Sequence, residues 1–205
     1  MLKKILYIIL LNNAMGELYS FNCNNTYNGI IEIYISNDTI LQIFNNEFNL
    51  YDNYINIMMN KLNYITQNQF NLTFKYNVNT ISYDCYNLGL VDNLKKFKQI
   101  INNTNQTISV LLTDCNNGGV AYVNTLSSYY KHRTSVVGII SNNTDDVNNI
   151  WLFGHEVGHT LGLYHLHDDG GLMSYNSPYY KNEVQYNNIV ENNVCNNLNN
   201  SIYVI

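Results

Sequence analysis

The stretch 155–165, HEVGHTLGLYH, holds three of the chain's five histidines and a single glutamate. His155 and His159 are four residues apart, so on a helix both imidazoles project from one face, about one turn from each other. That spacing suits two nitrogens on one Zn²⁺, at Zn–N distances of about 2.0–2.1 Å. Glu156, next to the first of them, points to the side, where it can reach a metal-bound water without ligating the metal. Gly162 can adopt positive φ, end the helix and turn the chain back toward the metal. His165 then arrives from outside the helix as a third ligand. Three protein ligands leave a fourth position open, which marks a catalytic rather than a structural zinc.

Such a site hydrolyses peptide bonds. Zinc lowers the pKa of a bound water toward about 7, and Glu156 takes its proton as the water attacks a polarised carbonyl. The same carboxyl later hands the proton to the leaving amine. The competing explanation, a helix whose core histidines happen to align, would leave several buried polar groups to satisfy.

These residues need a scaffold, and apolar periodicity outlines one. Residues 29–36, 70–78, 107–114 and 134–141 read as strands, from alternation or from short apolar runs. Residues 40–65 repeat apolar positions at three- and four-residue intervals, as a long helix does, and 88–101 is similar. A helix over 147–162 carries the histidines, with Asp145 or Asp146 available as its N-cap. A last helix spans 181–198. The order predicts an α/β sandwich around one sheet. No repeat or linker suggests a second domain.

The 205 residues, 46% hydrophobic, suit one domain with a real core. A formal charge of −5 with no basic run argues against a nucleic-acid partner. Asparagine supplies about a fifth of the chain, which weakens it as a turn marker. The N-terminus, with Lys3 and Lys4, then apolar Ile5 to Leu11, then Ala14 and Gly16, has the order of a secretory signal peptide over 1–16. That leaves 17–205 as the mature domain. No other segment is long and apolar enough to anchor it in a membrane. A buried N-terminal strand is the alternative. Secretion makes disulfides the default for Cys23, Cys85, Cys115 and Cys195, with three pairings open. Seven N-x-S/T sequons, at Asn24, Asn37, Asn71, Asn102, Asn105, Asn142 and Asn199, are glycan acceptors if the route is eukaryotic.

HExxHxxGxxH followed by LMSY, with Met173, resembles the metzincin zinc-protease signature. The eight-residue step from His165 to Met173 is similar to the spacing of matrix metalloproteinases. MSY is similar to astacins and serralysins, whose neighbouring tyrosine ligates zinc or stabilises the oxyanion, a role that falls here on Tyr175; a packing tyrosine is the alternative. IIEIYISNDTILQIFN, LLTD, GGVAYVNTL and TSVVGI, in that order, resemble the adamalysin (reprolysin) branch of ADAM and snake-venom proteinases. The resemblance implies the metzincin fold: an α/β (α+β) domain with a mixed, mostly parallel sheet, long helices, an active-site helix, a methionine turn and a C-terminal helix. It implies that Met173 packs beneath the zinc and that Gly119, Val120, Ala121, Tyr122 and Val123 form an edge strand binding substrate backbone to backbone. It also implies a structural Ca²⁺ at Glu32, with an ordinary partner for an inward acid as the alternative. From it comes a Cys115–Cys195 bridge, leaving Cys23–Cys85.

Departures from the branch are equally clear. Ser127 and Leu172 stand where adamalysins have cysteines, and Leu166 follows the third histidine in place of their aspartate, with Asp168 two residues on. His132 and His167 read as ordinary histidines that face solvent or support the ligands, the ligand set being complete. Taken together, the expectation is a secreted, monomeric zinc metalloendopeptidase acting on extracellular or host proteins, with no activation beyond signal removal. The alternative is a catalytically silent binding module of the same fold. The pocket that selects substrate is expected from loops around 166–180.

Overall fold

Alternation in the first strand, β1 (Tyr27–Ser36), buries Tyr27, Ile31, Ile33 and Ile35 on one face and leaves Asn28 and Ile30 exposed. The computed structural model describes residues 23, 25–85, 87–101, 107–115, 117–123, 133–139, 142–143, 147–165, 171–174, 186 and 191–199. Within them, β1 is followed by helices α1 (Asn37–Phe44) and α2 (Phe48–Phe70), then β2 (Leu72–Ile81), α3 (Leu90–Ile100), β3 (Thr107–Thr113), β4 (Gly119–Ala121), β5 (Thr134–Gly138), α4 (Val147–Thr160) and α5 (Glu191–Asn199). The five strands form one sheet in the order β2-β1-β3-β5-β4. All neighbours pair parallel except β4, which runs antiparallel along β5 at the edge. The predicted mixed, mostly parallel sheet is present.

Both faces of the sheet are covered, as parallel strands require. On one face Ile31, Ile33, Val110, Leu112 and Val137 pack with Ile55, Met59 and Leu62 of α2 and with Phe153 and Val157 of α4. On the other, Leu111 and Val136 pack with Leu94 and Phe97 of α3. The histidine-bearing helix is thereby fixed against the core face of the sheet, next to its antiparallel edge.

Two helix expectations need correction. The single helix predicted over 40–65 is two helices, because Asn45 and Asn46 take left-handed backbone, φ 52° and 60°. Asn45 caps α1, its N–H returning to the Ile40 carbonyl. The apolar period runs across this corner because both helices face the same core. The last helix occupies Glu191–Asn199; residues 181–185 and 187–190 lie outside the described ones.

The disulfides are Cys23–Cys195 and Cys85–Cys115, with Cα–Cα distances of 5.1 and 6.0 Å, not the Cys115–Cys195 and Cys23–Cys85 pairs that the resemblance implied. The parallel sheet explains this. Cys23 precedes β1, whereas Cys85 and Cys115 follow β2 and β3, so Cys23 lies at one end of the sheet and the other two share the opposite end. Two parallel ten-residue strands separate those ends by roughly 30 Å, far beyond disulfide reach. Helix α5 packs at the Cys23 end, where Tyr27 Oη donates to Asn199 Oδ1 at 2.5 Å.

The calcium expectation at Glu32 meets the alternative partner. Its two carboxylate oxygens accept from Asn77 Nδ2 at 2.7 Å and Asn79 Nδ2 at 2.9 Å, amides of the adjacent strand.

Candidate metal centre

Helix α4 brings His155 and His159 onto one face, as their spacing requires, and its end delivers His165. Gly162 has φ 95°. Its N–H donates to the His159 carbonyl at 2.9 Å, and Leu163 N–H reaches back to the Gly158 carbonyl at 3.0 Å. This pair is the Schellman termination that a left-handed glycine permits. The turned chain places His165 Nε2 3.0 Å from His155 Nε2 and 3.1 Å from His159 Nε2.

Backbone carbonyls orient two of the rings. His155 Nδ1 meets the Leu172 carbonyl at 2.5 Å, and His159 Nδ1 meets the Leu163 carbonyl at 2.8 Å. A carbonyl accepts only from N–H, so both rings carry hydrogen on Nδ1 and turn an Nε2 lone pair toward the third imidazole. One proton on His165 Nε2 cannot satisfy both lone pairs. A cation at their meeting point can, and the three nitrogens fit a zinc ligand set, all within 4.8 Å of one another. Burial, then the neighbouring His159, lowers the pKa of His155 to about 4; a hydrogen bond to Leu172 opposes this. Burial also lowers that of His159. Both stay neutral, as ligands must.

Glu156 is buried beside this cluster, and burial alone pushes its carboxyl up to about 8. Its Oε2 has no hydrogen-bond partner. A cleft of about 440 Å³ opens over these groups. Its lining comes from Gly118, Gly119, Val120, Ala121 and Val123 around strand β4, from Trp151, Leu152, His155, Glu156 and His159 of α4, and from Tyr164, His165 and Ser174 beyond that helix. Tyr122 turns away from the cleft and lies under Lys98 Nζ, 5.2 Å from its ring centre. The strand element covers Gly119–Ala121, shorter than the predicted shelf of 119–123.

The methionine turn is formed by Gly171, with φ 75°, and a Ser174 N–H bond to the Gly171 carbonyl at 3.2 Å. Met173 is wholly buried. It lies against α4 at Gly158, where a Cβ would come 2.5 Å from Met173 Sδ and 2.9 Å from Tyr186 Cε1. Gly154, one turn earlier, meets Leu172 at 3.2 Å in the same way. Two glycines thus open a groove in the helix for the turn.

The reprolysin profile of metallo-peptidase family M12 matches residues 23–202. The chain belongs to metallo-peptidase family M12. No curated protein matches it. The M12 chain is a reprolysin-like metzincin, and its histidine triad is that of a zinc metallopeptidase. Tyr175, Ser127, His132, Leu166, His167, Asp168 and the proposed signal segment 1–16 lie outside the described residues.

Sequence reasoning missed Gly154, Gly158, Tyr186 and the Leu163 and Leu172 carbonyls. The glycines left a signal. Each weakens a helix by about 1 kcal/mol relative to alanine, so two at i, i+4 on a buried helix ask for a packing reason. Tyr186 supplies part of it, its Oη donating to the Gly154 carbonyl at 2.7 Å.

Proposed function

We propose that this metzincin is a secreted endopeptidase that cleaves extended segments of extracellular or host proteins, with Glu156 as its general base and acid. The observation that carries the reading is the convergence of three imidazole Nε2 atoms in a cleft that is also lined by Glu156, a buried carboxyl whose Oε2 has no hydrogen-bond partner. His155, His159 and His165 would hold a zinc ion, which when bound would supply a Lewis acid for the scissile carbonyl and lower the pKa of water. Glu156 Oε2 is free to take a proton from the attacking water and return it to the leaving nitrogen. Burial raises the carboxyl's proton affinity in the zinc-free protein, and a bound dication would draw it back toward the charged form that a base requires.

Strand β4 bonds β5 along one side and is the last strand of the sheet among the described residues. Its other side offers backbone N–H and C=O groups to a substrate strand, the mode proposed for Gly119 to Val123. Tyr175 is retained as a candidate oxyanion donor from the resemblance. Calcium at Glu32 has less support, since neutral amides occupy both carboxylate oxygens. Two disulfides suit an oxidising compartment, which supports secretion. No helix among the described residues is long and apolar enough to cross a membrane. Sequon glycosylation and a monomeric state belong to the same proposal.

The test is zinc content by mass spectrometry together with cleavage of a quenched-fluorescent peptide library, for wild type and Glu156→Ala. One zinc in both and cleavage only by wild type is expected. One zinc and no cleavage by either would replace the enzyme with a binding module.

A further inference from the structure

Gly119 opens β4 and pairs with Val137 of β5. Directly paired residues share a face of a sheet. Val137 belongs to the core on the α4 side, so position 119 faces α4 as well. A Cβ built there would stand 2.5 Å from Glu156 Oε1, 2.6 Å from its Cγ and 2.8 Å from its Cδ. The outer half of the glutamate therefore lies where a side chain at 119 would be. The backbone is not the reason for glycine. Positive φ occurs at Gly118, Gly162 and Gly171, and Gly119 is not among them. What the position requires is space.

We propose that the missing side chain at Gly119 is the seat of the Glu156 carboxylate, which makes Gly119 a positioning residue for proton transfer. The inference rests on reading Glu156 as the base. No hydrogen bond holds Glu156 Oε2, and the side chain's Oε1, Cγ and Cδ fill the space beside the bare strand. The strand proposed to carry substrate and the group proposed to move the proton are then set in register by direct contact. A peptide bound along β4 and the carboxylate below it shift together.

A double-mutant cycle tests this. Gly119→Ala is expected to keep one zinc and to lose about a hundredfold in kcat, the effect of misplacing a reacting group by about 1 Å. Glu156→Asp, one methylene shorter, should lose rate in the wild-type background. In the Gly119→Ala background it should lose far less, or recover some, because retraction relieves the clash. Stability gives a second readout, independent of turnover. Gly119→Ala should lower Tm in the wild type but not in a Glu156→Ala background, where the space is vacated. Wild-type kcat and Tm in Gly119→Ala would overturn the proposal, as would kcat losses that multiply and a Tm loss that persists without Glu156. If Gly119→Ala fails to fold, recovery of folding in the Glu156→Ala background supports the seat and continued failure rejects it. Should Glu156→Ala alone keep full activity, the reading of Glu156 as base fails, while the Tm comparison still judges the contact.

Discussion

Glu156 and the imidazoles around it respond to burial in opposite directions, and this separates their contributions experimentally. Glu156→Gln keeps the shape and removes the titratable carboxyl, so kcat is expected to fall by about 10²–10⁴ with zinc stoichiometry unchanged. Retention of rate would mean that another group moves the proton. In the zinc-free protein, His155 has its folded pKa lowered to about 4, and His159 is lowered too. The unfolded chain therefore binds protons first, and stability falls as pH drops from about 6.5 toward 4. Glu156, raised to about 8, acts with the opposite sign, gaining stability as pH falls from there. Denaturant melts of chelated Glu156→Gln isolate the histidine effect, and a flat profile between those limits would contradict neutral, buried imidazoles. At this scale the sequence was most legible where one helix set the spacing, as for His155, Glu156, His159 and Gly162. It was silent where partners meet across strands. Nothing in the linear order ties Gly119 to Glu156, or Glu32 to Asn77 and Asn79.

Helices α1 and α2 both end on a left-handed asparagine, Asn45 and Asn71, and that is why the break between them was missed. All four described non-glycine residues with positive φ, Asn45, Asn46, Asn71 and Asn87, are asparagines. Asn71 closes α2, with its N–H bonded to the Gln67 and Thr66 carbonyls. In a chain with so many asparagines these few cannot be told from the rest by type, whereas the lone glycine at 162 could. Asn71→Gly should leave Tm unchanged or raised, while Asn71→Val should cost about 1–2 kcal/mol, the penalty of a left-handed backbone; equal stability of the two would refute a conformational role. The zinc helix offers the complementary case. Gly158→Ala drives a methyl into Met173 and Tyr186, and overpacking of this kind costs about 1–3 kcal/mol. Gly154→Ala, against a looser 3.2 Å contact with Leu172, should cost less. A reversed order in chemical denaturation would place the methionine turn elsewhere.

The fold class followed from the order of periodic segments, because each crossover leaves its own apolar signature, whereas the mixed sheet came only with the family resemblance: its antiparallel strand, Gly119–Ala121, is too short to show a period. Disulfide pairing did not follow, since it depends on which strand ends share an edge, and direction in a sheet is not carried by composition. Cys23–Cys195 joins residues 172 apart and Cys85–Cys115 residues 30 apart. Cys23→Ser should remove about 2–5 kcal/mol, measured by urea unfolding; an unchanged midpoint would show the bridge to be idle. The long bridge also closes residues 23–195 into a ring. One cut anywhere between residues 23 and 195 opens that ring without releasing a fragment, so a molecule that has nicked itself, or been nicked by a neighbour, still travels as one particle. Such damage would be invisible on a non-reducing gel and would separate into pieces only when thiol is added.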